Sequence, residues 1–203
     1  MERVELDIWS DYLCPWCFNA SVRLRAVKRE FGDRLTIAWR SYLLRPRPAA
    51  RPDLGAFRAY TESWLRPAGE PDSGRFRPWA TDTGPPSHSI PPHLVAKAAA
   101  TLGDDAFERV HDRLLEAYFA ENRDISDDDT LREVWREADL PADEFARRED
   151  PALLARTLGE HDDAIALGVT GVPTVVVRGR DALVMGAQPV AVYRRWIERL
   201  LAG

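Results

Sequence analysis

Strand-forming patterns occur only near the two ends of this chain. Val4, Leu6 and Ile8 alternate with Glu5 and Asp7, and Leu35, Ile37 and Trp39 alternate again a few turns later. Both are the period-2 signature of strands with one face on a core. From Pro46 onward no strand pattern returns until the β-branched run Thr174-Val175-Val176-Val177. Any sheet must therefore join the first residues to the last, and what lies between must be helical or irregular.

Between the first two strands, Ala20, Leu24, Val27 and Phe31 recur at helical spacing and Gly32 follows as a C-cap. A helical crossover implies that these strands are parallel. At the other end, Gly179 turns the chain between Thr174 to Val177 and Leu183 to Met185, which reads as an antiparallel hairpin. Pro189 then opens a last helix with Val192, Trp196, Ile197 and Leu200 on its apolar face.

The middle reads as a short helix from Ala56 to Leu65 and amphipathic helices through Phe107, Val110, Leu114 and Tyr118 and through Leu131, Val134, Trp135 and Ala138. Ser126, followed by Asp127, Asp128 and Asp129, reads as the cap of the second of these. Asp150 and Pro151 start another helix that runs towards Ile165 and stops at Gly168. The stretch from Arg66 to Pro92, rich in Pro, Gly, Ser and Thr, reads as a loop, either a lid or a surface excursion. The expectation is an α/β fold split by a helical insertion, with parts at 1–45 and 150–203 around an insertion at 46–149.

A chain of 203 residues with 45% hydrophobic and 30% charged residues has the balance of an ordinary globular protein. Its net charge of -5 argues against a nucleic-acid partner. Lys28 and Lys97 are the only lysines, and Arg23, Arg25, Lys28 and Arg29 read as a solvated helix face. No run approaches the roughly 20 apolar residues of a transmembrane helix. Met1, Glu2 and Arg3 lead directly into a strand, so no export signal is read and the expected location is the cytoplasm.

The only two cysteines stand in Cys14-Pro15-Trp16-Cys17, directly after the first strand. Pro15 suits the first helical position, which makes Cys14 the N-cap and puts Cys17 one turn further in. The helix dipole and free amides there favour a negative sulfur, so Cys14 is the expected nucleophile and Cys17 the thiol that resolves its mixed disulfides. A zinc site would need further ligands from His88, His93, His111 or His161, which lack any metal-binding spacing, so no metal is expected. A purely structural disulfide is disfavoured in a reducing compartment.

Ser10-Asp11-Tyr12 before Cys-Pro-Trp-Cys, Gly171-Val172-Pro173-Thr174 before a strand, and Gly186-Ala187-Gln188-Pro189 entering the last helix together resemble the thioredoxin-fold superfamily, in particular its DsbA-like, FrnE-like branch. The resemblance spans nearly the whole chain. It implies a thioredoxin fold interrupted by a helical domain and thiol-disulfide exchange with protein or small-molecule substrates. No bound cofactor is implied beyond the redox-active disulfide, with glutathione as a candidate external reductant. It implies further that Val172-Pro173 is cis and faces the dithiol, so that Val172 and Pro173 bind substrate by strand addition. Pro15 and Trp16, between the cysteines, are the other expected contacts, core packing being the alternative for Trp16. Relatives often carry a buried acid on the first strand, for which Asp7 and Asp11 are both candidates. A neighbouring branch of glutathione-dependent isomerases and kappa-class transferases, or a non-catalytic binding module, stands as the alternative. The presence of both Cys14 and Cys17 favours dithiol chemistry.

Overall fold

The computed structural model describes residues 3–203, so the reading of Met1 and Glu2 lies outside the described residues. Strand β1 (Val4–Ser10) leads into helix α1 (Pro15–Phe31) and strand β2 (Leu35–Ser41). Helices α2 (Leu54–Thr61), α3 (Leu65–Ala68), α4 (Ile90–Ala100), α5 (Asp104–Phe119) and α6 (Asp128–Glu137) follow, with a 3-10 segment over Ala142–Glu149. The chain closes with α7 (Pro151–Ala166), β3 (Thr174–Val177), β4 (Leu183–Met185) and α8 (Val190–Ala202).

The four strands make one sheet in the order β2-β1-β3-β4. β1 pairs in parallel with β2, Val4 opposite Leu35 through Ser10 opposite Ser41, and antiparallel with β3, Leu6 opposite Val177 through Trp9 opposite Thr174. The first and last parts of the chain thus meet at β1, as the placement of the strand patterns requires. Alternation along β1 sends Leu6 and Ile8 to a core shared with Leu24, Val27, Val175, Tyr193 and Ile197, under α1 and α8. Trp9 joins Ala164 and Val169 in a smaller cluster with α7. Its indole Nε1 donates to the Glu160 carbonyl at 2.9 Å.

The helices between β2 and α7 have their own core, in which Trp64, Trp79, Phe119 and Trp135 are almost completely buried. Tyr12, Leu13 and Phe18 reach into that core from the two flanks of the cysteine motif. The start of α1 is therefore wedged into the helical block, while its later turns pack on the sheet.

Four expectations need correction. Helix α4 begins at Ile90, inside the stretch read as loop. Pro91 and Pro92 fall in its first turn, where a missing amide costs nothing. Its Val95, Ala96, Ala98 and Ala99 are all buried and leave no polar stripe to betray it. The irregular segment ahead of it is a packed strap rather than a lid or a free excursion: Gly74 N donates to Asn19 Oδ1, Arg77 N to the Phe119 carbonyl and Trp79 N to Thr61 Oγ1. The cap of α6 is Asp127, whose carboxylate accepts from Thr130 N, while Ser126 Oγ donates to Asp124. Arg23 is not on a solvated face. It is 1% exposed and donates to the Ala187 and Pro71 carbonyls, joining α1 to the loop before α8 and to the strap.

At Gly74 the strap presses on the helix that carries the cysteines. A Cβ there would lie 2.4 Å from the Phe18 ring. Gly74→Ala is expected to destabilise the protein by about 1 to 3 kcal/mol, the usual cost of overpacking, as measured by urea unfolding.

Candidate functional site

Cys14 has the extended backbone of an N-cap (φ -97°, ψ 113°), and its sulfur accepts the Cys17 amide at 3.3 Å, the bond that a capping hydroxyl would make elsewhere. Pro15 occupies the first turn, as its lack of an amide favours. Both cysteines are free thiols. Both are buried, but Cys14 keeps 5% exposure while Cys17 has 0%. Burial pushes the Cys17 thiol up and the adjacent Cys14 sulfur pushes it further, against hydrogen bonds from the Asp11 amide and the Ser10 hydroxyl.

Across the fold, the Val172-Pro173 peptide is cis and directly precedes β3. The Cys14 thiol donates to the Val172 carbonyl at 3.3 Å, although 158 residues separate them. Thr174 Oγ1 closes the loop on the Gly171 carbonyl at 2.7 Å. Cys14, Cys17, Val172 and Pro173 are thus gathered at one end of β1 and β3. Pro15 and Trp16 are half-buried between the cysteines, and Trp16 belongs to none of the hydrophobic cores.

The two candidate acids have separate roles. Burial tends to raise Asp7, but hydrogen bonds and charge from Arg178 and Arg40 outweigh it and hold its carboxyl below the ordinary range. Asp11 is completely buried, and burial raises it to about 6 in spite of hydrogen bonds from Ser89, Leu13 and Leu44. Its carboxylate accepts from Leu13 N at 2.7 Å and from Leu44 N at 2.6 Å, which ties the cysteine loop to the chain leaving β2. Asp11 touches Cys17 through its backbone amide.

Two supports had no signal in the pattern of residues. Tyr12 Oη and His111 Nδ1 are hydrogen-bonded at 2.9 Å, and His111 Nε2 and Ser21 Oγ at 3.0 Å. Burial lowers His111 to about 3, so it is a neutral strut between the cysteine loop and α1. Ser10, the last residue of β1, supplies the hydroxyl beside Cys17. Among the described residues no group of three or more His, Cys, Asp or Glu side chains could hold a metal ion.

A capping cysteine one turn from a buried partner, on a β2-β1-β3-β4 sheet split by helices, defines the thioredoxin-fold class of thiol-disulfide oxidoreductases. Within that class the model of the DSBA-like thioredoxin domain matches residues 5–198, and the chain belongs to that family. A probable DsbA oxidoreductase from Streptomyces coelicolor superposes with a TM-score of 0.77 at 26% identity, over 98% of this chain and 91% of that one. The cytosolic disulfide reductase DsbM from Pseudomonas aeruginosa, solved with GSH, gives a TM-score of 0.79 at 24% identity, over 98% of this chain and 100% of that one. The latter likeness concerns the fold. No curated protein matches the chain.

Asp11 makes stability depend on pH. Its folded value lies above that of an unfolded aspartate, so the folded state holds the proton longer and the contribution of Asp11 to stability falls as pH rises from about 4 to about 6. The effect is on the order of 3 kcal/mol. Buried His93 and His111, held neutral, push the whole protein the other way over this range, so the test is a difference. The urea stability of Asp11→Asn relative to wild type is expected to rise by about 3 kcal/mol from pH 4 to pH 7.

Proposed function

We propose that Cys14 is the attacking thiolate and Cys17 the resolving thiol of a dithiol exchanger that works as a reductase or isomerase in the cytoplasm, on protein or small-molecule disulfides. The observation that carries this reading is the asymmetry of the pair: Cys14 keeps a small exposure and faces Val172, while Cys17 has none.

The Cys14 thiolate attacks one sulfur of a substrate disulfide. The substrate S–S bond breaks, one substrate thiolate leaves and takes up a proton, and Cys14 is joined to the other half. Cys17 then loses its proton and attacks Cys14 Sγ, releasing the second substrate thiol and leaving a Cys14-Cys17 disulfide. Two electrons have passed to the substrate. Two glutathione molecules restore the dithiol and leave as glutathione disulfide. An extended substrate segment lies along Val172 and Pro173, with Pro15 and Trp16 as apolar contacts on the other side of the sulfur. The division at 1–45, 46–149 and 150–203 is part of this proposal, the inserted helices bracing the cysteine loop from outside the sheet.

The direction follows from the cytosolic poise, which lies near or below about -220 mV and keeps an oxidising dithiol reduced. DsbM, a cytosolic disulfide reductase solved with GSH, supports both the compartment and the reductant.

Glutathione-coupled reduction of insulin tests the assignment. Cys14→Ser is expected to lose all activity. Cys17→Ser is expected to accumulate a mixed disulfide with glutathione, visible by mass spectrometry and removed by dithiothreitol. Adduct formation in Cys14→Ser and none in Cys17→Ser would reverse the two roles, and equal formation in both would overturn the asymmetry. A dithiol potential above about -150 mV would make the pair too weak a reductant for this cycle and sink the reductase reading, leaving isomerisation alone.

A further inference from the structure

Strand β2 is an edge of the sheet, and a groove runs between it and helices α4 and α5. It consists of two adjoining cavities of about 300 and 210 Å³ that share Thr36, Ile37, Trp39, Asp104, Phe107 and His111. The combined space suits a small organic molecule. The proposed dithiol chemistry uses none of it.

The wall is aromatic at one place. The Trp39 and His111 rings lie 4.5 Å apart between centroids, and Phe107 stacks on His111 at 5.3 Å. His111 has both ring nitrogens engaged by Tyr12 and Ser21, so this wall presents ring faces and edges rather than a free polar atom.

The larger cavity is also lined by Arg40, Lys97 and Arg156, with Asp104 as its one acid. All three cations converge on a single carboxylate, Glu160, at 3.4, 2.5 and 3.0 Å respectively. Glu160 accepts from Ser41 N as well, so its oxygens are fully used. Arg40 has a second carboxylate in Asp7, but Asp7 is shared with Arg178. With Asp104, the cluster of Arg40, Lys97, Arg156 and Arg178 is balanced by Glu160, Asp7 and Glu5, but the three cations on the cavity wall all lean on the one carboxylate Glu160 and keep donors unused. Lys97 has a side chain only 8% exposed, and its one described acceptor is Glu160, although an ammonium has three donors. Ser41, on the same cavity wall, has a buried hydroxyl oxygen with no hydrogen-bond partner. The unused donors of buried Lys97 and the unpartnered Ser41 hydroxyl both call for an acceptor from outside the protein, and the neighbouring Arg40 and Arg156 favour an anionic one.

We propose that this groove binds a flat organic carboxylate, its apolar body against Trp39 and Phe107 and its carboxylate toward Arg40, Lys97 and Arg156. The site stands apart from Cys14, yet Ser10 and Tyr12, which flank the cysteine loop, form part of its wall. It is a second, small-molecule site, independent of the thiol chemistry proposed above.

Isothermal titration of the whole protein with 2-naphthoate, 2-naphthamide and glutathione tests it. 2-Naphthoate is expected to bind one to one and at least tenfold more tightly than the uncharged amide. Arg156→Gln alters a half-exposed side chain and is expected to keep the fold and the insulin reductase activity. It should weaken 2-naphthoate about tenfold, which is about 1.4 kcal/mol. Phe107→Ala is expected to weaken both naphthyl compounds, and Cys14→Ser neither. Absence of binding at millimolar 2-naphthoate, equal affinity for acid and amide, or an unchanged affinity in Arg156→Gln would overturn the proposal. Displacement of 2-naphthoate by glutathione would overturn it too, by assigning the groove to the thiol substrate.

Discussion

Helix α1 belongs to two cores at once, and the rest of the molecule is arranged around that fact. Ala20, Leu24, Val27 and Phe31 are locked against the sheet, while Tyr12, Leu13 and Phe18 are locked into the helical block. Between these anchors sits the first turn, with the cysteines. Asp11 adds a polar clasp to the chain leaving β2, and Arg23 adds another to the strap and to the loop before α8. A nucleophile mounted on a helix N-terminus needs its amides held in place. Here packing on one side and hydrogen bonds on the other hold them.

The same mounting separates two chemically identical side chains. One turn of helix carries the chain from the slightly exposed Cys14 to the fully enclosed Cys17. Burial disfavours the charged form of the inner sulfur, and a neighbouring sulfur disfavours it further. The backbone amide of Asp11 and the hydroxyl of Ser10 oppose this, and both come from where β1 ends. Position in the fold, more than residue identity, therefore sets the two thiols apart.

Much of this was legible in the sequence because the strands alternate cleanly and the capping residues are the usual ones. Val4 to Ile8, Leu35 to Trp39 and the valines of β3 each mark a strand, and Gly32, Asp150-Pro151 and Gly168 mark helix ends. Cys14-Pro15 marks its own cap. The failures have a common cause. Helix α4 is buried over most of its length, and Arg23 is an arginine whose donors are met by distant carbonyls. Neither situation leaves a periodic trace, because both depend on parts of the chain far away in sequence. The partition between Asp7 and Asp11 was hidden for the same reason. Each carboxylate is defined by partners, Arg178 and Arg40 for one and the Leu44 amide for the other, that only the fold brings near.

The hydrogen bond between Cys14 and Val172 also has a temporal side. The two residues are 158 positions apart. At typical synthesis rates of 5 to 20 residues per second, about 8 to 30 s pass between the emergence of the one and of the other. Throughout that interval β1 lacks its β3 neighbour, and the cysteines lack the wall that faces them. On the ribosome, the reactive pair is made first and enclosed last.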